Sequence, residues 1–166
     1  MSSLSSVVEC FIEISKNSNI KYELTDNKLK LDRVLFGSVA YPHNYGFIPN
    51  TLSEDGDPLD VLLVSQFSLT PGTYADGRVI GALEMIDSGE EDLKIIAIMD
   101  KDPRLSHINS ISDLPNFWLS EIKNFFEEYK KLENKEVKLG KLINLPKTLE
   151  LIEHAKLNYN SSCSWN

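Results

Sequence analysis

The chain has 166 residues, of which 42% are hydrophobic and 25% are charged, and its formal net charge at pH 7 is −8. This length and hydrophobic content fit one well-formed core, so we expect a single domain over residues 1–166. The acidic balance argues against general affinity for nucleic acid or for anionic membranes, because both need basic surface.

No stretch of the sequence approaches the length of a membrane-spanning helix, and the first residues lack the basic start and long apolar segment of a secretory signal. We therefore expect a cytoplasmic protein. Its two cysteines, Cys10 and Cys163, are far apart and lack the spacing of a metal site, which predicts free thiols.

The first two-thirds of the chain predicts short strands separated by turns. Hairpin turns are expected at Thr25–Lys28 and Asp87–Glu91, and the stretch from Phe36 to Asp57 is expected to be irregular because it contains several Pro and Gly residues. The predicted strands are Val7–Ile14, Ile20–Leu24, Leu29–Val34, Leu59–Val64, Arg78–Ile86 and Leu93–Met99.

The last third changes period. From Asp113 to Leu132 apolar residues recur at steps of three and four, which predicts an amphipathic helix with Asp113 as N-cap and Pro115 in its first turn. A second helix is predicted from Pro146 to about Leu157, followed by a loose tail over residues 158–166.

Strands followed by helices predict the α+β class. Short, hairpin-linked strands of this number would most easily close into a small OB-like β-barrel of about five main strands. Two helices in the C-terminal half would complete the fold.

The most informative motif is EDGDPLDV at Glu54–Val61, which places the carboxylates of Asp55, Asp57 and Asp60 within six residues. Carboxylates held this close repel one another and raise each other's pKa. A hard cation such as Mg²⁺, Mn²⁺ or Ca²⁺ would keep them ionised together, so the motif favours a metal site. A calcium-binding EF-hand loop does not fit, because its fifth position would be Leu59 and its twelfth Gln66.

Three weaker patterns have similar chemistry. Lys21 and Glu23 are two apart on a predicted strand and share a face, although such a pair is usually a solvated surface pair. Asp87 and Asp92 flank a predicted turn, with Lys94 on the face of Asp92. Tyr45 lies in a predicted loop ahead of the acidic motif, where its hydroxyl would donate to a phosphate or simply cap the core.

Taken in order, these segments resemble the soluble family I inorganic pyrophosphatases of the compact bacterial type. The resemblance runs from about Glu13 to Glu133. Besides EDGDPLDV, it depends on IEI with Glu13, KYE at Lys21–Glu23, DR at Asp32–Arg33, YPHNYGFIPNTL at Tyr41–Leu52 and FFEEYKKLE at Phe125–Glu133.

The resemblance implies hydrolysis of pyrophosphate to two orthophosphates by a metal-activated water that attacks phosphorus in line. It implies Mg²⁺ as cofactor, with Mn²⁺ or other divalent ions as substitutes, and Asp57 as general base. Metal-binding roles are implied for Asp55, Asp60, Asp87, Asp92, Glu13 and Glu23. Substrate-binding roles are implied for Lys21, Arg33, Tyr45, Lys94, Tyr129 and Lys130.

The sequence departs from the family pattern at a few positions. Ser88 stands where well-known relatives have an acidic residue after the first turn aspartate. Asn124 and Glu128 stand where some bacterial relatives have histidines that contribute to subunit contacts. The family's homohexamer is the assembly expected from the resemblance.

Two other functions fit parts of the pattern. A metal-dependent hydrolase of another small phosphate compound would use the same chemistry, but the sequence has no nucleotide-binding signature. A non-catalytic barrel that binds single-stranded nucleic acid would need a basic groove with exposed aromatic residues, which the aspartate clusters do not provide.

Overall fold

The computed structural model describes residues 5–163. Within them it contains eight strands, two α-helices and short 3₁₀ turns at Pro103–Leu105, Ile111–Asp113 and Lys131–Glu133. The strands are β1 (Val7–Ile14), β2 (Ile20–Thr25), β3 (Lys28–Val34), β4 (Asn44–Ile48), β5 (Leu59–Val64), β6 (Tyr74–Asp87), β7 (Glu90–Met99) and β8 (Val137–Ile143), and the helices are α1 (Asn116–Glu128) and α2 (Leu145–Cys163).

Five strands close into a barrel. They are bonded in the order β1, β4, β5, β7, β6, and β6 pairs again with β1. Strand β6 has 14 residues, so it pairs with β1 through residues 74–78 and with β8 through residues 82–87. Strands β2 and β3 form a separate two-stranded sheet. The α+β class, the OB-like barrel and the two helices of the C-terminal half are therefore confirmed.

The β6–β7 hairpin turns through only two residues, Ser88 and Gly89, which have φ values of 52° and 85°. This is the left-handed backbone that a tight hairpin turn requires at both central positions. Because the turn is short, Asp87 and Glu90 are directly paired across it.

Strand β5 shows how the sheet contributes to two apolar clusters. Leu62 and Val64 belong to a cluster that includes Phe126 of α1, whereas Val61 and Leu63 belong to one that includes Ile152 of α2. Successive side chains of a strand point to opposite faces, so a nearly continuous apolar run is what a strand buried on both faces requires.

The prediction of irregular structure from Phe36 to Asp57 is wrong in its centre, where β4 forms. Gly46 lies in this strand because a Cβ atom there would approach the Phe11 carbonyl oxygen to 1.7 Å. The sequence analysis also missed β8, whose residues are exposed or half-buried and include Gly140.

The helix bounds need correction as well. Helix α1 begins at Asn116, with Pro115 as N-cap, and Asp113 instead belongs to a 3₁₀ turn and accepts a hydrogen bond from the Asn109 amide (3.0 Å). Helix α2 continues to Cys163, so the predicted loose tail is wrong for residues 158–163, and residues 164–166 lie outside the described part. Between residues 5 and 163, neither helix combines the length and apolar character needed to cross a membrane.

Candidate active site

One cavity of about 480 Å³ brings together every side chain that the sequence analysis singled out as a candidate. It opens where the barrel meets the β2–β3 sheet, the loop before β5, the β6–β7 hairpin and the residues that follow α1. The candidate residues in its lining are Glu13, Lys21, Glu23, Arg33, Tyr45, Asp55, Asp57, Asp60, Asp87, Asp92, Lys94, Tyr129 and Lys130.

The acidic loop is fixed by its own hydrogen bonds. The Ser53 hydroxyl donates to the Asp55 carboxylate and to the Asp57 carbonyl oxygen (2.8 Å), and the Asp57 amide donates to Asp55 Oδ1 (3.0 Å). Gly56 has a φ of 89°, which a side chain would disfavour. The loop therefore presents Asp55 and Asp57 on a preformed turn.

Lys94 lies between two of the acidic residues that line the cavity, Asp60 and Asp92. The parallel register of β5 and β7 pairs Asp60 with Lys94, and Nζ lies 2.8 Å from Asp60 Oδ2, 2.9 Å from Asp92 Oδ2 and 2.7 Å from the Tyr45 hydroxyl oxygen. Burial alone would lower the pKa of Lys94, but Asp60, the two tyrosines and Asp92 together outweigh it, and the pKa lies well above its usual value. The ammonium is thus held charged between two carboxylates.

Lys130 makes the corresponding pair with Asp87 at the end of β6. Burial opposes ionisation of Asp87, but the hydrogen bond and the charge of Lys130 outweigh it, so the pKa of Asp87 is lowered. The Ser88 hydroxyl also donates to Asp87 Oδ1 (3.2 Å). Ser88 thus contacts the neighbouring carboxylate.

Three other carboxyl groups of the cavity have raised pKa values. Burial, followed by the charge of Asp60, raises the pKa of Glu13 to about 7. Burial raises the pKa of Asp57, with Asp55 and Asp60 adding to it. Burial also raises the pKa of Asp92, although Lys94 opposes the effect. A cavity in which acids raise one another's pKa has a shortage of positive charge.

The phenols of the cavity stay protonated. Burial raises the pKa values of Tyr41, Tyr45 and Tyr129, whose rings pack in one aromatic cluster with Phe125. The Tyr41 and Tyr45 ring centroids are 5.0 Å apart. Their hydroxyls are therefore hydrogen-bond donors at neutral pH.

The structure adds residues that the candidate set did not include. Glu90 and Glu91 line the same cavity, and their place between Asp87 and Asp92 was the available signal. Glu133 forms an ion pair with Arg33 across 100 residues of sequence, and no local pattern indicates that contact.

The donor set fits a hard divalent cation, because carboxylate oxygens are the ligands that Mg²⁺ and Mn²⁺ prefer. Among residues 5–163, no three acidic, His or Cys side chains converge closely enough to form a ready-made metal site. Three of the carboxylates are instead paired with lysines, since Lys94 contacts Asp60 and Asp92 and Lys130 engages Asp87.

Comparison with known proteins gives one consistent family. Residues 10–160 match the family model described as inorganic pyrophosphatase. The chain is 47% identical over 151 residues to soluble inorganic pyrophosphatase 4 of Arabidopsis thaliana, covering 90% of this chain and 70% of that protein. It is 52% identical over 130 residues to an inorganic pyrophosphatase of Ureaplasma parvum, covering 77% of this chain and 72% of that protein.

Solved structures agree with the sequence matches. The crystal structure of inorganic pyrophosphatase from Thermus thermophilus superposes with a TM-score of 0.91 at 41% identity, covering 96% of this chain and 95% of that one. The inorganic pyrophosphatase of Helicobacter pylori gives a TM-score of 0.90 at 43% identity, covering 96% and 98% of the two chains.

Proposed function

The chain belongs to the family I inorganic pyrophosphatases, and we propose how its own residues hydrolyse pyrophosphate to two orthophosphates. The observation that carries the proposal is the cavity itself, whose lining combines carboxylates with lysine, arginine and tyrosine side chains. Such a combination suits a small anion that must be held, neutralised and attacked by water.

The substrate would be held by Lys21, Arg33 and Lys130. Arg33 offers guanidinium N–H donors to phosphate oxygens, whereas the lysines supply point charges. Tyr45 and Tyr129, kept protonated by burial, would add neutral hydrogen bonds to the same oxygens. The set distinguishes a compact phosphate anion from a ligand with a large apolar part.

The family is dependent on divalent metal ions, and we propose Mg²⁺ with Mn²⁺ as a substitute. Asp55, Asp60, Asp87, Asp92, Glu13 and Glu23 are the carboxylates of the cavity that would hold such ions. When bound, divalent ions would neutralise phosphate oxygens and lower the pKa of water. The raised pKa values of Glu13 and Asp92 support this assignment, since both groups lie where added positive charge is favourable.

Asp57 is proposed as the general base. It lies on the preformed loop between Asp55 and Asp60, and its amide is anchored by Asp55 Oδ1 while its carboxylate faces the cavity. Its raised pKa makes it a better proton acceptor than an ordinary aspartate. The proton taken from water would thus reside on Asp57 during attack on phosphorus.

Lys94 is proposed to orient the Asp60 and Asp92 carboxylates and then to contact the released phosphate. Its bonds to Asp60 and Asp92 fix both carboxylates in one geometry before substrate arrives. Because it is buried and charged, it adds a cation that water does not screen.

A homohexamer in the cytoplasm stays a prediction. The apolar side chains exposed on the β2–β3 sheet support self-association, since Leu31 is 55% and Val34 48% exposed. Light scattering coupled to size-exclusion chromatography would measure the assembly, and a monomer at micromolar concentration would contradict it.

The function is tested by assaying the purified protein with pyrophosphate, ATP and an oligonucleotide, each with Mg²⁺, with Mn²⁺ and with EDTA. We expect metal-dependent release of orthophosphate from pyrophosphate and much slower turnover of the other compounds. Preference for ATP would favour a hydrolase of another phosphate compound, and retention of the oligonucleotide without turnover would favour a binding module.

A further inference from the structure

Glu133 is a buried acid that the catalytic scheme leaves without a role. Its side chain is 7% exposed, and it forms an ion pair with Arg33, whose side chain is 23% exposed. The two residues belong to different parts of the fold, since Arg33 lies in β3 and Glu133 ends the 3₁₀ turn after α1. Their contact therefore connects two elements that the backbone does not pair.

Arg33 needs such an anchor because of where its strand lies. Strands β2 and β3 pair only with each other in the described structure, outside the barrel, yet they supply Lys21, Glu23 and Arg33 to the cavity. A two-stranded hairpin is marginally stable by itself. The position of its side chains in the cavity must therefore depend on contacts with the rest of the molecule.

Glu133 is itself well placed to serve as that anchor. Its amide donates to the Lys130 carbonyl oxygen (3.1 Å), so it is fixed to the segment that contributes Tyr129 and Lys130 to the cavity. The pair joins Glu133 Oε1 to Arg33 Nη1, and the remaining buried atoms, Glu133 Oε2 and Arg33 Nε, have no hydrogen-bond partner. One terminal nitrogen of the guanidinium is thus used for anchoring, which leaves Nη2 for an anion in the cavity.

We propose that Glu133 is a positioning residue that holds the Arg33 guanidinium in the lining of the cavity, where it would contact phosphate. The proposal rests on the assignment of Arg33 to substrate binding. Burial makes the contact strong, because a charged hydrogen bond between poorly solvated groups is screened little by water. Without Glu133, Arg33 would be free to turn into solvent with its hairpin.

The test begins with Glu133→Gln, which keeps the size of the side chain and removes its charge. We expect KM for pyrophosphate and the inhibition constant of orthophosphate to rise roughly 10- to 100-fold, the range for loss of a charged hydrogen bond. Mg²⁺ binding, measured by calorimetry without substrate, should stay within about twofold, because Glu133 does not line the cavity. Glu133→Asp, which restores the charge, should recover part of the loss.

Glu128→Gln is the matched control. Glu128 precedes the same segment and also forms an ion pair, but with the exposed Lys131, whose side chain is 62% exposed. Such surface pairs contribute little, so this variant should keep the parent constants. Thermal unfolding of all variants separates loss of position from loss of fold.

A double-mutant cycle with Arg33→Gln decides whether Glu133 acts through Arg33. If it does, the double variant should bind orthophosphate no more weakly than Arg33→Gln alone. Additive losses, or an unchanged KM in Glu133→Gln, would overturn the proposal. An unchanged KM in Arg33→Gln would instead show that the assignment of Arg33 to substrate is wrong, and the proposal for Glu133 would fall with it.

Discussion

Lys94 illustrates how one residue can stabilise a site that like charges would otherwise disrupt. Its ammonium contacts Asp60, Asp92 and the Tyr45 hydroxyl while the residue is only 3% exposed. Each carboxylate alone would face the other across the wall of the cavity. Removal of the ammonium should therefore leave Asp60 and Asp92 repelling each other.

We expect Lys94→Met to lower the free energy of unfolding by roughly 3 kcal/mol in EDTA, the lower end for breaking a buried pair because the Asp60 side chain is 32% exposed. Excess Mg²⁺ should recover much of this loss, since a divalent cation would compensate the same carboxylates. Urea unfolding in both buffers measures the difference. Lys131→Met, at an exposed pair, should leave stability essentially unchanged in either buffer, and equal losses in both buffers for Lys94→Met would contradict the compensation.

Asp57 differs from Asp60 in forming no close ion pair with a lysine among the described residues, although the charge of Lys21 partly offsets the rise of its pKa. Its raised pKa comes from burial and from the charges of Asp55 and Asp60. We expect Asp57→Asn to lower kcat by about 10²–10⁴-fold, the loss typical of removing a general base, with little change in Mg²⁺ binding. Steady-state kinetics and calorimetry measure the two quantities.

Glu54→Gln is the control for that variant, because Glu54 is in the same loop but its side chain is 84% exposed and lies outside the cavity lining. It should retain the parent kcat. Near-normal turnover in Asp57→Asn would assign the base to another group.

Among the elements, β4 is one that the local sequence pattern did not predict. Its residues are nearly all buried, but Pro and Gly on either side and within it suggest a loop. Gly46 is required there by a neighbour distant in sequence, since β1 approaches so closely that the Phe11 carbonyl oxygen occupies the space of a side chain. Such a contact cannot be inferred from residues 36–57 alone.

Gly46→Ala should therefore destabilise the protein by at least about 3 kcal/mol, more than ordinary overpacking, because the obstacle is backbone and cannot rotate away. Gly37→Ala is the control, because its nearest atom would be Leu132 Cδ1 at 3.8 Å, an ordinary contact. Chemical unfolding of both variants tests the contrast. A Gly46→Ala protein as stable as Gly37→Ala would mean that β1 and β4 can separate without cost.

Elements with a strong local pattern were predicted well. The three- and four-residue period of Phe125, Phe126 and Tyr129 indicates α1, and these residues do pack together. Strand β8 lacks such a signal because it lies at the edge of the sheet and its residues are exposed or half-buried. Its position depends on pairing with β6, which is a tertiary interaction.

At the scale of the molecule, the sequence order of the motifs did not reveal how they meet. Family resemblance indicated which residues share a site, and barrel closure explains how residues as far apart as Glu13 and Lys130 line one cavity. The ion pairs of the site, above all Arg33 with Glu133, depend on that closure. A contact of this kind follows from three-dimensional register and not from composition or period.

Two buried groups, His43 and Glu13, change the stability of the whole molecule with pH in opposite directions. Burial, aided by Lys16, lowers the pKa of His43 to about 4, and the ring packs on Trp118 beside the Ser65 backbone. Between pH 4 and 6.5 His43 is protonated in the unfolded chain but neutral in the folded protein. The free energy of unfolding therefore falls as the pH drops through this range. Glu13, with its pKa raised from 4.5 to about 7, has the opposite effect on stability. Its protonated form is favoured in the folded protein, and this contribution to the free energy of unfolding is lost as the pH rises.

We therefore expect Glu13→Gln to become more stable relative to the parent as the pH rises from 4.5 to 7 without metal, by up to about 3 kcal/mol from a shift of this size. Below pH 4.5 Glu13 is protonated in both the folded and the unfolded state, so the stability difference between Glu13→Gln and the parent should be constant. His43→Asn removes the opposing titration, so its stability should fall less than that of the parent between pH 6.5 and 4. Urea unfolding at a series of pH values measures both trends, and a pH-independent difference between Glu13→Gln and the parent would show that Glu13 ionises normally in the folded protein.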